Sequence, residues 1–175
     1  PTQKGASPSC RWGHSATVLG PFLVVVGGRV GSKPQPLNEA FVLHVPSCTW
    51  QRFPTSGTAP KNRYGHSSCL LPSRTAVVLC LGGHGGRSRY YADLHSLNLE
   101  TWTWRQVETT GEPPCKRCGH STTLVNDTAI VLGGYDGRHY FSDFHCLNVT
   151  VWAWSRPRAV AAAPTPLHGH SASAV

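Results

Sequence analysis

Methionine is missing from all 175 residues, the first position included, so the chain is expected to be a fragment or a processed piece. Acidic side chains are scarce, eight against sixteen Lys and Arg. The resulting formal charge of +8 favours acidic partners and speeds their encounter without bearing on fold. The basic residues are scattered, with no Lys/Arg block and no basic helix, so nucleic acid is not the expected partner. No apolar run approaches the ~18 residues of a membrane span, and no secretory leader pattern opens the sequence. Regularly spaced cysteines are also lacking. The seven present are an odd number, and Cys69, Cys80 and Cys146 fall inside apolar stretches. They read as small buried hydrophobes in a reducing compartment, cytoplasmic or nuclear, rather than as a disulfide framework. Two sequons, Asn126-Asp127-Thr128 and Asn148-Val149-Thr150, point the other way and are read as coincidental.

What is present repeats. Arg11-Trp12-Gly13-His14-Ser15 returns as Arg63-Tyr64-Gly65-His66-Ser67, as Arg117-Cys118-Gly119-His120-Ser121, and altered as Leu167-His168-Gly169-His170-Ser171. The four glycines are 52, 54 and 50 residues apart, a period that belongs to repeat architectures. Each unit then carries an apolar run closed by a glycine pair: Val24-Val25-Val26-Gly27-Gly28, Leu79-Cys80-Leu81-Gly82-Gly83 and Ile130-Val131-Leu132-Gly133-Gly134. An acidic residue follows, Glu39, Asp93 or Asp143, and each unit ends in Trp50, Trp104 or Trp154, 15 residues before the next motif glycine. Every unit contains four short apolar or alternating stretches bounded by Gly, Pro, Asn and Ser, which read as strands, with no helical period.

Arg-x-Gly-His-Ser, apolar-Gly-Gly, acid-Leu-x-x-Leu and Trp, in that order, resemble the kelch repeat over nearly the whole chain. The resemblance implies an all-β, partial β-propeller spanning 1–175: about three four-stranded blades (about 10–55, 60–108 and 114–157) plus the first strand of a fourth, 167–175. In such a wheel the second strand is apolar because a neighbouring blade covers each face. The glycine pairs are expected to permit a sharp turn and a close approach. The tryptophans are expected on the outer strands, filling the gap that widens with radius. Glu39, Asp93 and Asp143 are expected to make turn hydrogen bonds before the third strand. Three blades do not close a ring, since propellers have roughly four to eight, so further repeats are expected in the parent chain.

The motif histidines, one per unit at one slot, are expected to make a structural hydrogen bond inside each blade rather than to bind metal. Cys115, Cys118 and His120 resemble half a zinc site that nothing completes, so neither metal nor cofactor is expected, and no catalytic residue. The candidate partner-binding residues fall in two groups. Arg11, Arg63 and Arg117, with Trp12 and Tyr64 beside them, are expected at the mouth of the central channel. There the kelch resemblance implies a grip on acidic peptides or a terminal carboxylate, a task suited to the guanidinium fork; the alternative is that these arginines satisfy carbonyls between blades. The loops after the glycine pairs supply His84, Arg87, Arg89, Tyr135 and Arg138, residue types that anchor interfaces, or else ordinary solvated turns. The expected function is a protein–protein interaction module for an acidic partner segment, with a ubiquitin-ligase adaptor role implied by family analogy alone. The alternatives are a propeller enzyme, copper-radical oxidase-like or lyase-like, and a structural or cytoskeletal scaffold.

Overall fold

The computed structural model describes residues 2–31, 35–71, 76–157 and 165–174. Three sheets follow one another along the chain, each built on a four-stranded antiparallel meander. In the first, β2 (Ser15–Leu19), β3 (Phe22–Val26), β6 (Ala40–His44) and β7 (Thr49–Phe53) pair in sequence from the hub outward. A short ribbon of β4 (Arg29–Val30) and β5 (Gln35–Pro36) joins β3 to β6. The second blade is β9 (Ser67–Leu71), β10 (Val77–His84), β11 (Tyr90–Asn98) and β12 (Thr103–Gln106). The third is β14 (Ser121–Val125), β15 (Thr128–Tyr135), β16 (Tyr140–Asn148) and β17 (Ala153–Ser155). The innermost strands β2, β9 and β14 lie side by side around a common hub.

Each blade has a fifth strand that the sequence reading did not anticipate. β1 (Lys4–Gly5), β8 (Ser56–Gly57) and β13 (Thr110–Gly111) each add a two-residue parallel pairing to the outer edge, against β7, β12 and β17. The connection between blades thus runs first to the outer rim of the next sheet and only then inward. It covers what would otherwise be an exposed edge with open N–H and C=O groups.

The core lies between blades. Trp104 of the second blade packs with Val24, Val26, Ala40 and Val42 of the first. Trp154 of the third packs with Cys69, Leu71, Leu79, Leu81 and Leu94 of the second. The outer-strand tryptophans therefore fill the inter-blade gap as expected, and Trp50 is only half-buried, with no described blade on its side. Cys69 and Cys80 are buried among these apolar side chains, and burial pushes both thiols up to about 12. All seven cysteines are free thiols.

Three expectations need correction. In the second and third blades the glycine pairs do not end their strands: Gly82 and Gly133 sit at bulges inside long hairpins, between Leu81 and Gly83 and between Leu132 and Gly134, whereas Gly27 and Gly28 follow the end of β3. The carboxylates of Glu39, Asp93 and Asp143 bond arginines rather than local turn amides. Residues 165–174 form no strand, although they lie against β14. The Ala-rich segment before them, 158–164, and Ser32 and Lys33 of the first loop fall outside the described residues.

Candidate recognition face

The repeated string divides into residues that bind the wheel together and one residue that does not. The motif glycines form a chain of backbone hydrogen bonds around the hub. Gly65 N–H donates to the Gly13 carbonyl (2.7 Å), Gly119 N–H to Gly65 (2.7 Å) and Gly169 N–H to Gly119 (2.8 Å). From the second unit on, the motif histidine reaches across a blade boundary instead of serving its own blade, whereas His14 of the first unit is exposed. His66 Nε2 meets Ser15 Oγ of the previous blade at 2.9 Å, and His170 Nε2 meets Ser121 Oγ at 3.0 Å. His120 is equally buried, without a side-chain partner. Burial, with the nearby Arg63 or Arg117 guanidinium, holds His66 and His120 down to about 3, so both rings are neutral.

The histidines explain the glycine pair. A Cβ on Gly82 would lie 2.9 Å from the Arg117 carbonyl oxygen and 2.9 Å from His120 Cε1, and its φ is +60°. Only a glycine lets the neighbouring blade's histidine close on this bulge. The second glycine of each pair donates its N–H across the same boundary, Gly83 to the Arg117 carbonyl (2.8 Å) and Gly134 to that of Leu167 (2.7 Å). Leu167 thus keeps the backbone role of the arginine slot without the side chain.

The motif arginines are not at the channel mouth. Arg63 and Arg117 are 0% and 1% exposed, because their side chains run back into their own blades. Arg63 forks onto Asp93 (2.8 and 2.7 Å), donates to the Gly82 carbonyl (2.7 Å) and lies 4.5 Å over the Tyr91 ring. Arg117 repeats this with Asp143 (2.6 and 3.1 Å), Gly133 and Phe141. Arg11 bonds Glu39 (3.0 Å) and Gly27 (3.0 Å). Burial works to raise the pKa values of Asp93 and Asp143. Hydrogen bonds from the arginines and from His95 and His145 more than reverse it, holding both below the usual carboxylate range. These guanidiniums are fully engaged, and a partner could reach them only by dismantling a blade. The three arginines are therefore withdrawn as ligand-binding groups.

His95 and His145 escaped the sequence reading. Each bridges its aspartate, at 2.9 and 3.1 Å, to a carbonyl of the preceding connection, Thr58 or Glu112. Their recurrence two residues after the acid was the available signal; Phe41 fills this slot in the first unit. The half zinc site does not assemble: Cys115 accepts from Arg117, Cys118 faces His168 at 3.8 Å, and His120 is buried between blades. Among the described residues no three His, Cys, Asp or Glu side chains gather as metal ligands.

What remains outside this bonding is the position between the motif arginine and glycine: Trp12, Tyr64, the buried Cys118 of the third unit, and His168. The first three pair in antiparallel bridges with the residue after the glycine pair, Trp12 with Arg29, Tyr64 with His84 and Cys118 with Tyr135. Side chains from both rows build one arc over three blades. Trp12 meets Tyr64 (5.4 Å between centroids), Tyr64 meets His84 (4.9 Å), and His84 meets Tyr90 (4.5 Å). Tyr90 then meets Tyr135 (6.1 Å), which stacks on Tyr140 (4.5 Å) beside His168. The Arg29 guanidinium lies 3.8 Å over Trp12 and 4.8 Å over Tyr64. Burial and the Arg29 guanidinium lower the His84 pKa from its ordinary value. Trp12 and Tyr140 are 53% and 58% exposed, and Arg87, Arg89 and Arg138 stand exposed in the adjoining loops. Of the expected site residues, Trp12, Tyr64, His84 and Tyr135 are thus brought into one surface. Arg29, Tyr90, Tyr140 and His168 join it unforeseen.

Blades around one hub, each locked to the next through Gly-His-Ser and Gly-Gly, define a β-propeller of the kelch kind. The chain belongs to the kelch-repeat family: the KLHDC2/KLHL20/DRC7 Kelch-repeats domain matches residues 13–175. It is similar to acyl-CoA-binding domain-containing protein 4 of Arabidopsis thaliana, 30% identical over 77% of this chain and 20% of that protein. It is also similar to kelch domain-containing protein 3 of Rattus norvegicus, 31% identical over 73% and 32%, and to dynein regulatory complex subunit 7 of Chlamydomonas reinhardtii, 28% identical over 71% and 11%. The chain spans less than a third of the length of these curated relatives. Kelch repeats are generally protein–protein interaction modules, and that much holds for the family to which the chain belongs.

Proposed function

We propose that this propeller segment binds an acidic stretch of a partner protein across the aromatic arc, with exposed loop arginines supplying the charge. The observation that carries the reading is the continuity of the arc. Seven rings, six from three blades and His168 from the start of the next unit, line up on a rigid β scaffold with Arg29 over the first two, while Arg87, Arg89 and Arg138 stand beside them. Large, rigid aromatic surfaces and arginines carry most of the energy in protein interfaces, and the +8 charge steers acidic partners toward it. A substrate-receiving role in ubiquitin ligation is compatible with this reading and rests on family analogy. Proximity labelling followed by quantified binding to each recovered partner tests it. Trp12→Ala and Arg87→Glu/Arg89→Glu should each weaken binding at least tenfold, with affinity falling as salt rises. Partners that bind both variants as tightly as the parent protein would remove the face from consideration.

A further inference from the structure

We infer that the cleft between the second and third blades takes a phosphorylated side chain of the partner segment, at the point where that segment crosses Tyr90. The inference rests on the recognition reading above and assigns one pocket of that face its ligand chemistry. The cleft has a volume of about 630 Å³ and is lined by Ser88, Tyr90, Lys116, Asp136, Gly137, Arg138 and His139. Tyr90 belongs both to the cleft and to the aromatic arc. A chain lying along the arc therefore reaches the cleft without leaving the surface.

The donors in the cleft exceed what a carboxylate can use. Lys116, Arg138 and His139 offer cationic or N–H donors, and Ser88 and Tyr90 add hydroxyls. The one acid, Asp136, is already committed. Its Oδ1 accepts the backbone N–H groups of Arg138 and His139, both at 2.7 Å, and its Oδ2 lies 3.5 Å from His139 Nδ1. Asp136 therefore shapes the loop that carries Arg138 and His139; these bonds hold it in its anionic form, and the two cations Lys116 and Arg138 outnumber its one charge. A Cβ on Gly137 would stand 2.8 Å from Tyr90 Cε2, so the bare backbone here lets the loop close against the tyrosine. A side-chain carboxylate brings one charge and two oxygens. A phosphomonoester brings about −1.5 to −2 and three oxygens, the better match to a lysine, an arginine fork and two hydroxyls.

The test uses the intact protein and four immobilised peptide libraries with degenerate flanks, centred on phosphoserine, glutamate, aspartate or serine, with inorganic phosphate as a soluble competitor. The expected result is at least tenfold better retention on the phosphoserine library than on the glutamate library. That preference should vanish in Lys116→Gln/Arg138→Gln, persist in the distant exposed control Arg105→Gln, and survive 10 mM inorganic phosphate because the arc also grips the chain. Equal retention on the phosphoserine and glutamate libraries overturns the phosphate assignment and leaves the acidic-segment reading standing. A preference unchanged in Lys116→Gln/Arg138→Gln overturns the choice of cleft. Complete competition by inorganic phosphate means a free-anion site and overturns the peptide assignment. Retention on none of the libraries overturns the inference together with the reading beneath it.

Discussion

Replacing Arg63 by alanine separates the two roles open to the motif arginines. The substitution removes two bonds to Asp93, one to the Gly82 carbonyl and one to the Lys61 carbonyl, together with the contact over Tyr91. Breaking a buried ion pair from one side costs about 3–5 kcal/mol. Because the Asp93 side chain keeps 27% exposure and its bond from His95, water and the imidazole relieve part of the orphaned charge, and the loss should fall near ~3 kcal/mol. With a urea slope of about 2 kcal/mol/M, that is a midpoint lowered by about 1.5 M. Asp93→Ala should be damaging too, and the double variant should be milder than the sum, by a coupling of about 1–3 kcal/mol. Exposed Arg89 supplies the control: Arg89→Ala should stay within about 0.5 kcal/mol of the parent. The assay is urea denaturation followed by tryptophan fluorescence, alongside partner binding under conditions where each variant remains folded. An Arg63→Ala protein with an unmoved midpoint and abolished binding would refute the structural assignment and restore the arginine as a ligand group.

The remaining predictions concern the joints between blades. Gly82→Ala should cost more than 2 kcal/mol, combining the roughly 1–2 kcal/mol of a left-handed non-glycine residue with contact against the Arg117 carbonyl. Gly20→Ala (φ +54°, open space around it) should cost only the backbone part, and calorimetric melting of both variants checks the difference. Stability should fall on acidification. His66 and His120 stay neutral in the fold down to about 3 but take up a proton near ~6.5 when unfolded, so their contribution is complete above that value and declines below it. The decline should be about 2 kcal/mol for each ring between pH 6.5 and 5, measured as urea midpoints across that range and flattened in His66→Gln/His120→Gln. Trp104→Ala should cost about 3–5 kcal/mol and Trp50→Ala less, since Trp50 is half-buried. Trp154→Phe should be harsher than Trp104→Phe, because only the Trp154 indole N–H donates, to Thr109 Oγ1 at 3.1 Å.

The wheel was legible because its period is written several times over, and each landmark meets the same physical demand in every blade. Less legible were the features that depend on which blade a residue faces. A histidine repeating at a fixed slot implies a fixed partner but not the side of the boundary on which the partner sits; Ser15 and His66 are 51 residues apart. The arginines misled because a guanidinium before an inner strand can point to the channel or back into the sheet. The deciding sign was the acid that follows 26–30 residues later in each unit, noted in the sequence without being joined to the arginine. The rim strands were missed because two residues are too short for any alternation, although Gly5, Gly57 and Gly111 recur in step with the repeat.

One five-residue string both builds the scaffold and contributes to the proposed recognition surface, and its chemistry explains how the two tasks stay separate. Arginine is consumed by the acid of its own blade, glycine by the hub chain, and histidine and serine by the adjoining blades. Each therefore tolerates little change, and none offers free valence to a partner. The second position carries no such duty. Its backbone pairs with the strand after the glycine pair, so its place is fixed while its side chain is not. Trp12, Tyr64, Cys118 and His168 are four different residues at this one slot. Arg29, His84 and Tyr135, across the bridge, differ in the same way. Variation between blades at these paired positions costs the fold little, and on the proposed reading it lets Trp12, Tyr64 and Tyr135 offer different contacts, Cys118 itself being buried. On the reading proposed above, recognition is encoded in the slots where the repeats disagree.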